Sequence, residues 1–298
     1  MINTIYCNIP DLRVSIPVTF NAVEIKNVVL PIVSERISVI RLPFYKWNSN
    51  ADSPCTPEII INAFIEGTDL LVNFNCQLFG DSYRVDLAGF HWDFWKSVIA
   101  SFSGALLTRG TITAHAACIG INEELVLLPG HSGDGKSSIS FKCINEGLPV
   151  YASELCYIEG DQLIAGNLSA SIDMAALEHF RIPMPADAQS REQRILINTD
   201  PLSEYRKIGK VYFPRVNKGS LHVRKITERR ARMLLYENIF SQLPSGQMLC
   251  HNSIPISPAP SSAQLITIAN QVACLIKNQS FIVEGSPGQI VAWIKEQG

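Results

Sequence analysis

Eight consecutive residues, Gly130-His131-Ser132-Gly133-Asp134-Gly135-Lys136-Ser137, carry glycine, lysine and serine at the spacing G-x-x-x-x-G-K-S. The glycines admit backbone angles that turn successive N–H groups inward. An inward ring of N–H groups beside a lysine and a hydroxyl is a donor set for a polyanion, above all the phosphates of a nucleoside triphosphate. In this reading Gly133, Asp134, Gly135 and Lys136 donate to phosphate oxygens, and Lys136 bridges the β- and γ-phosphates. Ser137 ligates Mg²⁺, and Ser138 follows on the same helix start. At ordinary residue frequencies a chain of this length matches the pattern by chance about once in a hundred, so a ligand-free glycine turn is the weaker alternative.

Such a loop needs a strand to lead into it and a helix to follow, and both are legible. A run from Thr111 to Ile121, a turn at Asn122-Glu123-Glu124 and an apolar strand Leu125–Leu128 lead into Pro129-Gly130. Ser137–Glu146 reads as the helix, stopped by Gly147. Upstream, apolar residues at three- and four-residue steps predict an amphipathic helix over Trp92–Leu107. Downstream, Leu148–Ala152 reads as a strand, and a hairpin turns at Glu159-Gly160-Asp161. A strand Lys210–Phe213 ends at Pro214-Arg215, a helix Thr227–Leu243 opens on a threonine cap, and Asn252–Ser262 reads as an extended crossing segment. A helix Ala263–Ile276, a strand Phe281–Glu284 and a terminal helix close the chain.

Residues 1–90 differ in texture. The runs Val14–Phe20, Val23–Pro31, Ile37–Pro43, Glu58–Ala63, Asp69–Asn75 and Ser82–Leu87 are short, β-branched and bounded by turn residues, with a polar loop at Asn48–Pro54. They predict a small β-rich module, 1–90, whose edge strands suit an added peptide strand. The nucleotide-binding domain is then 91–298. The 298 residues, 47% apolar and 17% charged, can bury a sizeable core. A net charge of −2 supplies no global field for nucleic acid or an anionic membrane. No apolar run approaches the ~20 residues of a bilayer span and no signal segment opens the chain, so a cytoplasmic protein is expected. The eight scattered cysteines read as small buried hydrophobes rather than a zinc site.

Neither a guanine-reading Asn-Lys-x-Asp motif nor an apolar run ending in Asp at the spacing of large ATPases is found, which counts against a GTPase or a motor. Three strings together resemble a known family: His115-Ala116-Ala117-Cys118-Ile119, Leu127 through Ser138, and Glu146-Gly147-Leu148-Pro149-Val150-Tyr151-Ala152-Ser153-Glu154. They are similar to the HPr serine kinase/phosphorylase superfamily, most closely to its kinases found beside lasso-peptide and related peptide-biosynthesis genes. The similarity is densest over residues 105–160, with shorter echoes in Tyr83–Gly110 and Tyr212-Phe213-Pro214-Arg215. It implies an α/β fold like the phosphoenolpyruvate-carboxykinase core, a mixed β-sheet with the phosphate loop on its edge. It also implies transfer of the ATP γ-phosphate, with Mg²⁺, to a serine hydroxyl of a peptide or small protein acceptor. The His115 position then lies near the nucleotide or metal, and a homo-oligomer is compatible.

In that family the strand after the loop helix ends in an acidic pair, the first Asp acting as base and its neighbour helping to hold the metal. The matching positions here are Ser153 and Glu154. A neutral serine hydroxyl has no useful basicity unless a neighbour activates it, which leaves Glu154 as Mg²⁺ ligand or substitute base. Arg215, after a strand and a proline, is a candidate contact to phosphate or to an acidic acceptor. Glu159, Asp161 and Asp173 are nearby carboxylates that could compensate, although the hairpin placement of the first two reads as solvated surface, as does the cluster Arg224, Lys225, Arg229, Arg230, Arg232. Three functions stay open: a kinase, a nucleotide-binding regulatory or scaffold protein (an inactive kinase), and a plain ATPase.

Overall fold

The computed structural model describes residues 2–9, 12–20, 45–48, 59–66, 69–76, 82–85, 103–104, 106–191, 194–243, 249–251, 254–256, 261–277 and 279–297. The chain divides into two compact units, one of Met1–Val39, Pro43–Gly110 and Phe240–Leu265, the other of Ile40–Leu42, Thr111–Ile239 and Ile266–Gly298. In the first, β1 (Ile2–Ile9), β2 (Leu12–Phe20), β3 (Tyr45–Asn48), β4 (Ile59–Glu66), β5 (Asp69–Cys76) and β6 (Ser82–Val85) form a six-stranded sheet in the order β3-β1-β2-β4-β5-β6. Strand β1, absent from the sequence reading, pairs antiparallel with β2 from Ile2↔Thr19 to Ile9↔Leu12. The expected runs Val23–Pro31 and Ile37–Pro43, and most of the helix expected over Trp92–Leu107, lie outside the described residues.

The second unit carries the loop. β7 (Ile112–Ile121) turns at Asn122, whose φ of 54° is the left-handed value such a tight turn requires, into β8 (Glu124–Pro129). Then come α1 (Lys136–Asn145), β9 (Val150–Ala152), β10 (Leu155–Glu159) and β11 (Gln162–Gly166). Next are β12 (Ser169–Asp173), α2 (Met174–Phe180), β13 (Gln189–Arg191), β14 (Arg194–Asn198) and β15 (Arg206–Val216). After β16 (His222–Ile226) and α3 (Glu228–Phe240), the pair β17 (Leu249–His251) and β18 (Ile254–Ile256) falls in the stretch assigned to the first unit. α4 (Ser262–Leu275), β19 (Ser280–Gly285) and α5 (Pro287–Gln297) complete the chain.

The large sheet is mixed, as expected: eight strands in the order β11-β10-β7-β8-β15-β19-β16, with β9 beside β7. β8 runs parallel to β15, which runs parallel to β19, while the β7–β8 and β10–β7 pairs are antiparallel. The strand that feeds the glycine-rich loop is thus interior, so the loop stands at a strand end and not on a lateral edge. Burial on both faces explains its unbroken apolar run Leu125-Val126-Leu127-Leu128.

Strand β15 is longer than the expected Lys210–Phe213 and passes through Pro214. Proline is tolerated there because β15 changes partners: it pairs with β11 at Arg206 and Lys207, with β8 from Ile208 to Val211, and with β19 from Tyr212 to Val216. At Pro214 only β19 is alongside, so no N–H is required on the β8 side.

Helix α1 joins two cores. Ile139 and Cys143 pack with Ala117, Val126 and Leu128 of the sheet and Ile290 and Ile294 of α5. Phe141 packs on the other side with Ile172, Leu177, Ile195 and Ile197, around the small sheet β12-β14-β13. A helix buried on opposite sides needs no single apolar stripe. Full burial of Ile139 and Phe141 contributes about 1.5–3 kcal/mol each, which anchors the start of α1 against the sheet. No described helix is long and apolar enough to cross a membrane.

Candidate functional site

At the loop, the end of β8 and the start of β10 flank the middle of β7. On one side of β7, Ala116 lies opposite Pro129, and the Gly130 N–H donates to the His115 carbonyl at 3.3 Å. On the other side His115 lies opposite Leu155, and the Ala116 N–H donates to the Glu154 carbonyl at 3.1 Å. His115 is therefore flanked by the loop and by the 153–155 turn, which brings together three positions spread over forty residues of sequence.

Within the loop Gly133 and Gly135 have φ of 93° and 88°, the left-handed region glycine favours. Gly135 is doubly constrained: a Cβ there would stand 2.3 Å from the Cβ of Val216, whose own N–H donates to the Asp134 carbonyl at 3.1 Å. The carboxylate of Asp134 accepts the His131 N–H at 2.6 Å and closes the turn. Gly135 is the N-cap of α1 and offers no side-chain acceptor, so the first-turn N–H groups stay oriented toward the loop.

Lys136 is 5% exposed, and its ammonium donates to the carbonyls of Gly130 and His131, both at 2.8 Å. Burial pulls it from an ordinary value of 10.5 down to about 8, against the opposing pull of Asp134, Glu154 and Cys156. Burial, then the charges of Lys136 and His131, bring His115 from 6.5 to about 3, so its imidazole is neutral near pH 7. Glu154 is exposed and its carboxylate acts on the Lys136 ammonium. Ser137 is partly exposed at the helix start, Ser138 is buried beneath it, and His131 and Ser132 lie on the exposed rim.

Ser153 occupies a different environment. It is 3% exposed, its hydroxyl donates to the Ser169 carbonyl at 3.0 Å, and the Asn167 amide lies 3.4 Å from its oxygen. Its proton is engaged inside the fold, which supplies neither a base nor an activating neighbour for one. The organiser of this turn is Asn167, which sequence reasoning did not single out. Its Oδ1 accepts the N–H groups of Ser153, Glu154 and Leu155 at 3.0, 2.9 and 3.1 Å, and its Nδ2 donates to the Ser169 carbonyl at 2.5 Å. An asparagine two residues before a strand carries no sequence signal for this role, because its partners lie twelve to fourteen residues back.

Arg215 stands beside Val216 on the strand that presses against Gly135, but its guanidinium pairs with Glu284 at 3.4 Å. Asp161 pairs with Lys277 and Asp173 with Arg194, at 3.3 and 3.4 Å, while Glu159 is exposed at the far end of β10. None of these three carboxylates is brought to the loop by its strand. Among the described residues no group of three or more His, Cys, Asp or Glu side chains converges to hold a metal. The oxygen donors suited to a hard divalent cation are the Ser137 hydroxyl and the Glu154 carboxylate. No protein-family model matches the chain, and no curated protein does.

Proposed function

We propose that the second unit binds a nucleoside triphosphate, read as ATP, and transfers its γ-phosphate to a hydroxyl, most naturally a serine of a peptide or small protein. The observation that carries this reading is Lys136. A buried ammonium at the mouth of a helix N-terminus, with left-handed glycines on either side of Asp134, is an arrangement that suits phosphates. Ser137 and Glu154 would hold Mg²⁺, which when bound supplies neutralisation of phosphate charge.

Within that reading the acceptor oxygen forms a bond to the γ-phosphorus as the bond to the β-phosphate oxygen breaks, and ADP leaves. The acceptor proton passes to Glu154, whose exposed carboxylate is reachable by a docked hydroxyl. Lys136 positions the phosphates, and neutral His115 offers a ring nitrogen without adding positive charge. Transfer depends mostly on positioning and charge, so the absence of a carboxylate at position 153 lowers the rate without forbidding the reaction.

The engaged hydroxyl of Ser153 favours one alternative, a nucleotide-binding regulatory or scaffold protein whose occupancy gates partner docking. Mass spectrometry of candidate acceptors incubated with ATP and Mg²⁺ separates the two. A phosphorylated product lost in Lys136→Ala and reduced 10²- to 10⁴-fold in Glu154→Gln is the expected kinase result. Tight ATP binding with no labelled acceptor would replace the kinase by the gating protein, and undiminished transfer by Lys136→Ala would end the reading.

A further inference from the structure

Helix α3 buries Ala231, Leu235, Asn238 and Ile239, one polar residue in an otherwise apolar stripe. An amide at such a position is destabilising unless it is hydrogen-bonded. Asn238 is 2% exposed, and its Nδ2 donates to the carbonyls of His115 at 2.9 Å and Gly130 at 3.2 Å, 123 and 108 residues away. Gly130 opens the loop, and His115, on β7, lies beside it.

Gly130 is also one of the two carbonyls that hold Lys136. Each of those two carbonyls has a second donor: Gly130 O receives Asn238 Nδ2 at 3.2 Å, and His131 O receives the Asp134 N–H at 3.3 Å. An ammonium has three N–H donors, so a lysine that bridges β- and γ-phosphates must give up at least one of these two carbonyl partners. Leaving a partly buried carbonyl with no donor is unfavourable, whereas leaving one that keeps another donor is not.

We infer that Asn238 is a positioning residue that takes over the Gly130 carbonyl when Lys136 swings to a bound phosphate, so that the lysine is released for ligand binding without orphaning the loop backbone. The inference rests on the triphosphate reading above. It differs from a purely structural role, in which Asn238 would tie α3 to the loop with no dependence on Lys136.

A double-mutant cycle on the full chain distinguishes the two, with the affinity for a non-hydrolysable MgATP analogue measured by calorimetry for the wild type, Lys136→Ala, Asn238→Leu and the double variant. The expected result is about a tenfold loss for Asn238→Leu in the presence of Lys136 and little further loss once Lys136 is Ala. Losses that add independently overturn the inference. Should Asn238→Leu not fold, the Asn238 side-chain amide resonance of selectively labelled wild-type protein decides. A downfield shift on adding the non-hydrolysable MgATP analogue, as its bond to Gly130 strengthens, supports the handover, and an unmoved resonance overturns it. Wild-type protein that binds neither MgATP nor its non-hydrolysable analogue would instead end the triphosphate reading, a separate outcome.

Discussion

At the scale of single residues the site is governed by which charges are buried. Lys136 gives a signed expectation. Between about pH 8 and 10.5 the unfolded chain holds this proton and the folded chain does not, so the free protein gains stability from this group as pH rises through that window. Phosphate binding reverses the preference, because an anion beside the ammonium raises its proton affinity. MgADP affinity is therefore expected to fall as pH rises above about 8, with net proton uptake on binding at pH 9 and little at pH 7; calorimetry in buffers of different ionisation heat measures it. For His115 the sign is the ordinary one for a depressed group: its contribution is present above 6.5 and lost as pH falls toward about 3. Ser153 yields a third expectation. Asp at this buried position would place a carboxylate against the Ser169 carbonyl, so Ser153→Asp should lose about 2 kcal/mol or more of stability in denaturant melts and should not create a base.

Elements decide how those residues are held. The 153–155 turn depends on one amide oxygen, so Asn167→Leu leaves three backbone N–H groups without it and should cost about 3 kcal/mol, measured by urea unfolding. The loop Gly130–Ser137 depends on Gly135 in two ways, conformational and steric. Gly135→Ala should therefore be the more damaging loop substitution, by about 2 kcal/mol or more, whereas Gly133→Ala meets open space and pays only for its positive φ, about 1 kcal/mol. Comparing the two melts isolates the contact with Val216. The loop and its flanking strand and helix were legible because the pattern is local: an apolar run, glycines and a helix start within thirty residues. The span of β15 through Pro214, the short strands β12, β13 and β14, and edge strand β16 were not, because their pairing partners are remote and their residues show no two-fold alternation strong enough to declare a strand.

For the whole molecule the triphosphate reading predicts a thermal effect. At a hundred times its Kd, MgATP should add about 2.7 kcal/mol to the unit that binds it and raise the melting temperature of that unit by roughly 5–10 °C, while Lys136→Ala at the same MgATP concentration should show a much smaller shift; calorimetric scans check both. What the sequence by itself determined is the glycine-rich turn Gly130 to Ser137 between a strand and a helix, because the left-handed glycines and the helix start that shape it are neighbouring residues. Several strands and helices around it were legible from the same local patterns, whereas the mixed α/β arrangement was what the family resemblance implied. Tertiary structure alone decided the rest. It set His115 between the loop and Glu154, buried Ser153 against Ser169, turned Arg215 toward Glu284, and brought Asn238 to the loop from more than a hundred residues away. Those relations depend on which strand lies beside which and how deeply each side chain is buried, and neither quantity is carried by residue spacing along one segment.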